Sequence, residues 1–140
     1  MDKFNKTLAS AEPYLLSILR IITGLLMFQF GVAKVLKFPV VAPFDKVAQF
    51  SLFWDAGVIE LVFGGLLILG LFSRLAAFIL CGEMAFAYFL GHMFKNPAEP
   101  VFLPLINNGT AAILFCFSCL YLATSGGGPI SVDGMRNRSA

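Results

Sequence analysis

The residues that are most able to support chemistry are ionisable side chains that lie inside long apolar runs. Three of them, Arg20, Glu60 and Glu83, lie away from the ends of these runs. An ionisable group is costly in a bilayer unless it is paired or hydrated. Each of the three therefore requires either a partner or a function.

Arg20 and Glu83 are the first candidates for a partnership. Counted along a helix, Glu83 lies about 13 Å from Arg74 and Arg20 about 9 Å from the same side of the membrane, if its helix starts at Tyr14. A guanidinium is long enough to bridge this gap. We therefore predict a structural ion pair, while a snorkelling Arg20 and a proton-relaying Glu83 stay open as alternatives.

A second group of polar residues converges on a level further from Arg74. The same counting places Glu60 at about 21 Å and His92 at about 27 Å from the Arg74 end. The group consists of Gln29, Lys34, Glu60, His92, Asn107 and Asn108. Because all four apolar runs contribute to it, this convergence is the strongest indication of a site.

The chemistry of this group suits a quinone-like ligand. Lys34, Gln29 or an Asn amide can donate hydrogen bonds to ring carbonyls, and Glu60 and His92 can carry protons as catalytic groups. The alternative is that these residues are ordinary solvated helix ends. Neither a flavin nor a nicotinamide fingerprint is present, so electrons would have to come from a partner.

The cysteines and carboxylates suggest no further chemistry. Cys116 and Cys119 form a C-x-x-C pair, but they lie deep in an apolar run, where inert packing is the expected role, and Cys81 adds little. One His with dispersed acids and thiols falls short of a metal-ligand set. We expect neither a thiol catalyst nor a metal site.

Long apolar segments must position these residues. The chain has 140 residues, 59% hydrophobic and 13% charged, which leaves too little polar surface for a soluble globule. Four runs are each long enough to cross a bilayer, so the sequence predicts an all-α, polytopic membrane four-helix bundle in a single domain. The predicted helices are 14–35, 56–72, 75–93 and 105–124, with outer loops 36–55 and 94–104 and a tail at 125–140.

The charge pattern predicts the orientation and narrows the partners. Four spans place both termini on one side, and that side carries five of the nine Lys and Arg residues compared, which favours cytoplasmic termini. The net charge is only +2 and forms no basic stripe, so nucleic acid is not an expected partner. The tail opens with three glycines and Pro129, which predicts a flexible turn after the last helix.

Small residues predict which helix faces look inward. Ser17, Gly24 and Gly31 recur every seven residues along the first helix, interleaved with Arg20, Met27 and Lys34. Gly57 and Gly64 flank Glu60 on the second. Small residues let helices approach closely, so both faces should look into the bundle.

Several of these residues and motifs together resemble those of a known protein family. They are Gly31 and Lys34, Glu60, Gly64 and Gly65, the segment Gly70 to Arg74, His92, Asn107 and Asn108, and Gly126 to Gly128 followed by Ser131, Val132 and Asp133. From about Leu15 to Asp133 the chain resembles the DoxX family of small bacterial four-helix membrane proteins.

The resemblance implies a bacterial inner-membrane protein. Relatives are associated with thiosulfate oxidation coupled to quinone, or with membrane complexes that handle oxidative stress. We therefore expect a subunit of a quinone-linked membrane oxidoreductase or redox-stress complex, with a redox partner protein. A non-catalytic anchor for soluble redox enzymes is the alternative.

Overall fold

The computed structural model of the chain describes residues 1–138, which form α-helices and no β-strand. The bundle helices are α1 (Asp2–Gly31), α2 (Leu52–Leu69), α3 (Ser73–Phe86) and, after the single turn α4 (Pro104–Asn107), α5 (Thr110–Ser125). A short helix, α6 (Val132–Arg138), follows. The predicted all-α helical bundle is confirmed.

Three helical segments are long and apolar enough to cross a membrane. They are Asp2–Leu36, Leu52–Leu69 and Ser73–Met93. The fourth bundle helix, α5, is also apolar but has only 16 residues. Large apolar side chains such as Phe78 and Phe117 are about two-thirds exposed on the outer surface, where lipid can cover them.

The helices pair as α1 with α2 and α3 with α5, and the two pairs join along α2 and α3. Glycines let α1 and α2 meet backbone to backbone. A Cβ added at Gly31 would lie 2.4 Å from the amide nitrogen of Leu61, and one at Gly64 would lie 2.7 Å from the amide of Phe28. The predicted inward face of α1 is confirmed, since Ser17, Arg20, Gly24, Met27, Gly31 and Lys34 are all buried.

The ends of the helices differ from the predicted ones for identifiable reasons. Ser51 accepts a hydrogen bond from the amide of Trp54 and starts α2 four residues before residue 56. Gly70, at a φ of 69°, ends α2 in the left-handed conformation, and the amide of Leu71 reaches back to the carbonyl of Leu66. The apolar run shows which part of the chain can face lipid, whereas the capping residues determine where the helix begins and ends.

Two arginines cap the C-terminal ends of neighbouring helices. Arg20 of α1 donates to the carbonyl oxygens of Leu67 and Ile68 at the end of α2. Arg74 of α3 donates to three carbonyls at the end of α5, those of Ala123, Thr124 and Ser125. Positive charge at a helix C-terminus compensates both the free carbonyls and the helix dipole.

The segment after α5 is packed rather than loose, which corrects the predicted flexible turn. Gly126 and Gly127 are buried, and the Gly127 carbonyl accepts a hydrogen bond from Nε of Arg20 at 2.8 Å. The carboxylate of Asp133 accepts from the amides of Phe72 and Ser73 at 3.0 and 2.8 Å. The tail therefore ties α1 to the α2–α3 turn; Ser139 and Ala140 of the predicted tail lie outside the described residues.

Candidate functional site

The centre of the candidate site is a buried ion pair between α2 and the end of α1. Nζ of Lys34 lies 2.7 Å from Oε1 of Glu60, and the two side chains are 10% and 2% exposed. Among the side chains that the structure describes, no second salt bridge is present. Gly57 makes room for it, because a Cβ there would lie 2.7 Å from Cβ of Lys34.

A second carboxylate, Glu83, belongs to the same cluster. Glu60 lies ten residues before Gly70, which ends α2, and Glu83 lies ten residues after Ser73, which begins α3. Both are therefore about 15 Å from the turn that joins the helices. Glu83 interacts electrostatically with Glu60 and Lys34.

This placement corrects the two separate levels expected from the sequence. The expectation counted Glu60 from Arg74, which treats the α2–α3 turn as helix and adds about 6 Å to its height. In the structure, Glu83 lies at the level of the Lys34–Glu60 pair and within electrostatic range of it, and we call these three residues the charge cluster. The Oε2 atom of Glu60 and the Oε2 atom of Glu83 are buried and accept no hydrogen bond from residues 1–138.

The predicted pairing of Arg20 with Glu83 is wrong in this structure. The Arg20 guanidinium donates instead to carbonyl oxygens of the α2 end and the tail, including Gly127 and Ile130. These four carbonyl acceptors engage all three guanidinium nitrogens without a carboxylate. The apolar pattern could not show this, because the tail that supplies two of those carbonyls is remote in sequence.

Aromatic rings surround the ammonium group of Lys34. Its Nζ lies 6.0 Å from the ring centre of Phe30 and 5.6 Å from that of Phe44, within the range of cation–π attraction. The two rings meet edge to face at 5.9 Å. Phe44 comes from the loop after α1, which Lys37 holds in place by donating to the carbonyls of Phe44 and Val47. The loop after α1 thus contributes one of the two rings beside the ion pair.

Two π-helical turns carry site residues. Val32–Leu36 continues α1 and contains Lys34, and Ala87–Met93 continues α3 and contains His92. Such turns change the direction in which side chains point and are frequent at functional sites. The sequence carries no recognised signal for them, so reasoning from periodicity alone missed them.

The remaining predicted residues lie apart from the charge cluster. Nδ1 of His92 lies 2.9 Å from the carbonyl oxygen of Asn107, and no hydrogen bond joins it to Glu60. The Asn107 side chain bonds to backbone groups of Val101 and Gly109, which shapes the loop before α5. Gln29 and Asn108 are exposed. The structure therefore brings together Lys34 and Glu60, and separately His92 and Asn107.

A cavity of about 580 Å³ lies at the other end of the bundle, between the α2–α3 turn and the tail. Arg74, Arg136 and Asp133 supply its charged walls. Burial alone would raise the pKa of Asp133, but hydrogen bonds from Ser73 and Phe72 and the charge of Arg136 outweigh it and hold that pKa below its ordinary value. Asp133 is thus ionised in its capping role. Among the described residues, no group of three or more His, Cys, Asp or Glu is placed to hold a metal ion.

The bundle and its buried charges define a multi-pass helical membrane protein. The profile of the DoxX family matches residues 15–93, more than half of the chain. The chain is also 41% identical over 123 residues to a protein of Haemophilus influenzae described as an uncharacterized protein, covering 87% of this chain and 90% of the relative. The chain belongs to the DoxX family. No solved structure matches it.

Proposed function

We propose that this protein is a bacterial inner-membrane subunit of a quinone-linked oxidoreductase or redox-stress complex, in which the charge cluster exchanges a proton with a quinone-like ligand. The observation that carries the proposal is the composition of the cluster: Lys34 pairs with the buried Glu60, and Glu83, half-buried with its Oε2 fully buried, lies within electrostatic range of that pair. An unpaired charge at this depth is costly. The cluster is electrically neutral when it holds one extra proton.

That proton is one of the two that a quinone takes up on reduction to the quinol. Glu60 accepts a hydrogen bond through Oε1 only, so its buried Oε2 has a free acceptor position, as does Oε2 of Glu83. Lys34 has three donors, of which one goes to Glu60, and a ring carbonyl can take another. The rings of Phe30 and Phe44 at the same ammonium offer an aromatic wall for a quinone ring.

The proposal assigns different roles to the residues that the sequence singled out. Lys34 orients the ligand, Glu60 holds Lys34, and Glu83 carries the exchangeable proton. His92, half-buried beside Asn107, is the second proton carrier, at the loop side of the bundle. Gln29 and Asn108, being exposed, have no role in the proposal. The termini are placed in the cytoplasm, as the positive charges favour.

Replacing Glu83 tests this function with the least damage to the fold. Glu83→Gln keeps the shape and leaves the Lys34–Glu60 pair neutral, so we expect unchanged thermal stability and the loss of quinone-linked respiration in native membranes at matched protein levels. Glu99→Gln, an exposed loop carboxylate, is the matched control and should respire like the wild type. Equal respiration in the Glu83→Gln and control membranes would contradict the proposal.

A non-catalytic anchor is the second candidate, and one observation favours it. The first part of α1, residues 2–12, is exposed apart from the half-buried Ala11, and it extends the helix beyond the buried face that begins at Ser17. Such an extension offers a surface to a soluble redox enzyme. Loss of respiration on deletion of residues 2–12, together with full respiration in Glu83→Gln, would favour the anchor over the quinone subunit.

A further inference from the structure

Two cysteines from different helices touch inside the bundle. Sγ of Cys81 on α3 lies 3.6 Å from Sγ of Cys116 on α5. These helices form one of the two tightly packed pairs. The sequence pairs Cys116 with Cys119 in a C-x-x-C motif, whereas the structure gives Cys116 a partner 35 residues earlier in the chain.

We propose that Cys81 and Cys116 are a redox-active dithiol that a membrane quinone oxidises to a disulfide. The proposal rests on the proposed function, because it takes the quinone as electron acceptor. In the step, the two S–H bonds break and an S–S bond forms between Cys81 and Cys116. The two electrons and two protons pass to the quinone, which becomes the quinol.

The geometry needs only a small approach of the two sulfurs. They are in van der Waals contact at 3.6 Å, and a disulfide bond measures about 2.05 Å. Both cysteines are half-buried, so a hydrophobic oxidant can reach them from the lipid side. Cys119 is fully buried, which leaves it out of reach of such an oxidant.

The charge cluster lies close to these thiols. Glu83 is two residues from Cys81 on α3, and it interacts electrostatically with Cys119, as do Cys81 and Cys116. Once Glu83 has given its proton to the quinone, its carboxylate can accept a proton from a nearby thiol, and the thiolate is the reactive form. The pair also supplies what the sequence lacks, since a dithiol stores two electrons without a flavin or nicotinamide.

The test uses the reduced full-length protein in lipid nanodiscs, mixed with decylubiquinone. Maleimide labelling and mass spectrometry then count the free cysteines. We expect the number of labelled cysteines in the wild type to fall from three to one. A peptide map made without reducing agent should join Cys81 to Cys116, and an equal amount of quinol should appear. Cys119→Ala should fall from two to none, whereas Cys81→Ala and Cys116→Ala should stay at two.

Several results would overturn this inference. They are three free thiols in the wild type after quinone treatment, a disulfide between Cys116 and Cys119, or oxidation by the small oxidant diamide but not by decylubiquinone. If an alanine variant fails to fold, the serine variant at the same position takes its place. Quinone binding, measured separately by photo-crosslinking, distinguishes the two failures: binding without oxidation contradicts the dithiol alone, whereas absent binding contradicts the proposed function too.

Discussion

Glu60 and Glu83 lie at one level of the bundle, Glu60 ten residues before Gly70, the C-cap of α2, and Glu83 ten residues after Ser73, the first residue of α3. Their separation along the chain conceals this symmetry, because the turn itself contains Gly70, Leu71 and Phe72. Lys34 reaches the same level from α1 and pairs with Glu60 at 2.7 Å. One cation among two carboxyl groups is the arrangement on which the proposed proton exchange depends.

The ion pair itself should be sensitive to the loss of either partner. Glu60→Gln leaves the Lys34 ammonium without its bonded anion, and removing one partner of a buried pair costs about 3 to 5 kcal/mol. Glu83 is near enough to compensate in part, so we expect Glu60→Gln to lose stability and Glu60→Gln with Glu83→Gln to lose more. Thermal unfolding in detergent measures both. Equal stability of Glu60→Gln and wild type would contradict the assignment of Glu60 as the partner of Lys34.

Arg20 should be a structural residue independent of Glu83. Arg20→Ala leaves carbonyls of Leu67, Ile68, Gly127 and Ile130 without their donor, and each unsatisfied buried group costs about 1 to 3 kcal/mol. We expect Arg20→Ala to lower the unfolding temperature strongly in wild-type and Glu83→Gln backgrounds alike. Lys3→Ala, an exposed control, should have no effect. A smaller effect of Arg20→Ala in the Glu83→Gln background would instead indicate the ion pair.

Close packing of α1 on α2 gives a matched pair of glycine substitutions. Gly31→Ala places a Cβ 2.4 Å from the Leu61 amide nitrogen, so the helices must separate and the protein should be destabilised. Gly82→Ala, on α3, meets no atom within 4 Å and should stabilise the helix by about 0.5 to 1 kcal/mol. We expect the unfolding temperature to fall in Gly31→Ala and to rise in Gly82→Ala. Equal shifts in the two variants would contradict the close packing of α1 on α2.

Asp133 should make stability depend on pH at the tail. Its pKa is lower in the folded protein than in an unfolded chain, so its contribution is present above the unfolded value, about 4, and is lost as the pH falls through the folded value. Asp133→Asn should therefore be less stable than wild type near neutral pH, by about 1 kcal/mol for a lost cap reduced by solvent screening. The difference should shrink below pH about 4; a constant difference would contradict capping by the carboxylate.

The sequence predicted the features that depend on residue type and local spacing. The apolar runs predicted a helical membrane bundle, and the seven-residue recurrence of small residues predicted which faces of α1 and α2 are buried. Features that depend on contacts between remote segments were not predictable. The tail carbonyls that bind Arg20 and the contact of Cys81 with Cys116 join residues 107, 110 and 35 positions apart, and no periodicity records them.

The candidate site was predictable in part for the same reason. Glu60 and Glu83 stood out because charge inside an apolar run is costly, and Lys34 stood out because it belongs to the same polar level as Glu60. Their mutual placement required the true end of α2 at Leu69 and the π-helical turn that carries Lys34. An error of a few residues in a helix end moved Glu60 about 6 Å along its axis, which was enough to divide one cluster into two.

The most direct test of the charge cluster is the infrared spectrum of its carboxyl groups. The full-length protein in nanodiscs at neutral pH should show the carbonyl stretch of a protonated carboxylic acid, and the band should change on addition of decylubiquinone. Glu83→Gln removes one of the two acids, so the remaining Glu60 is fully balanced by Lys34 and the band should be absent, while Glu99→Gln should retain it. A wild-type spectrum without the band, or a band that persists in Glu83→Gln, would contradict a shared exchangeable proton.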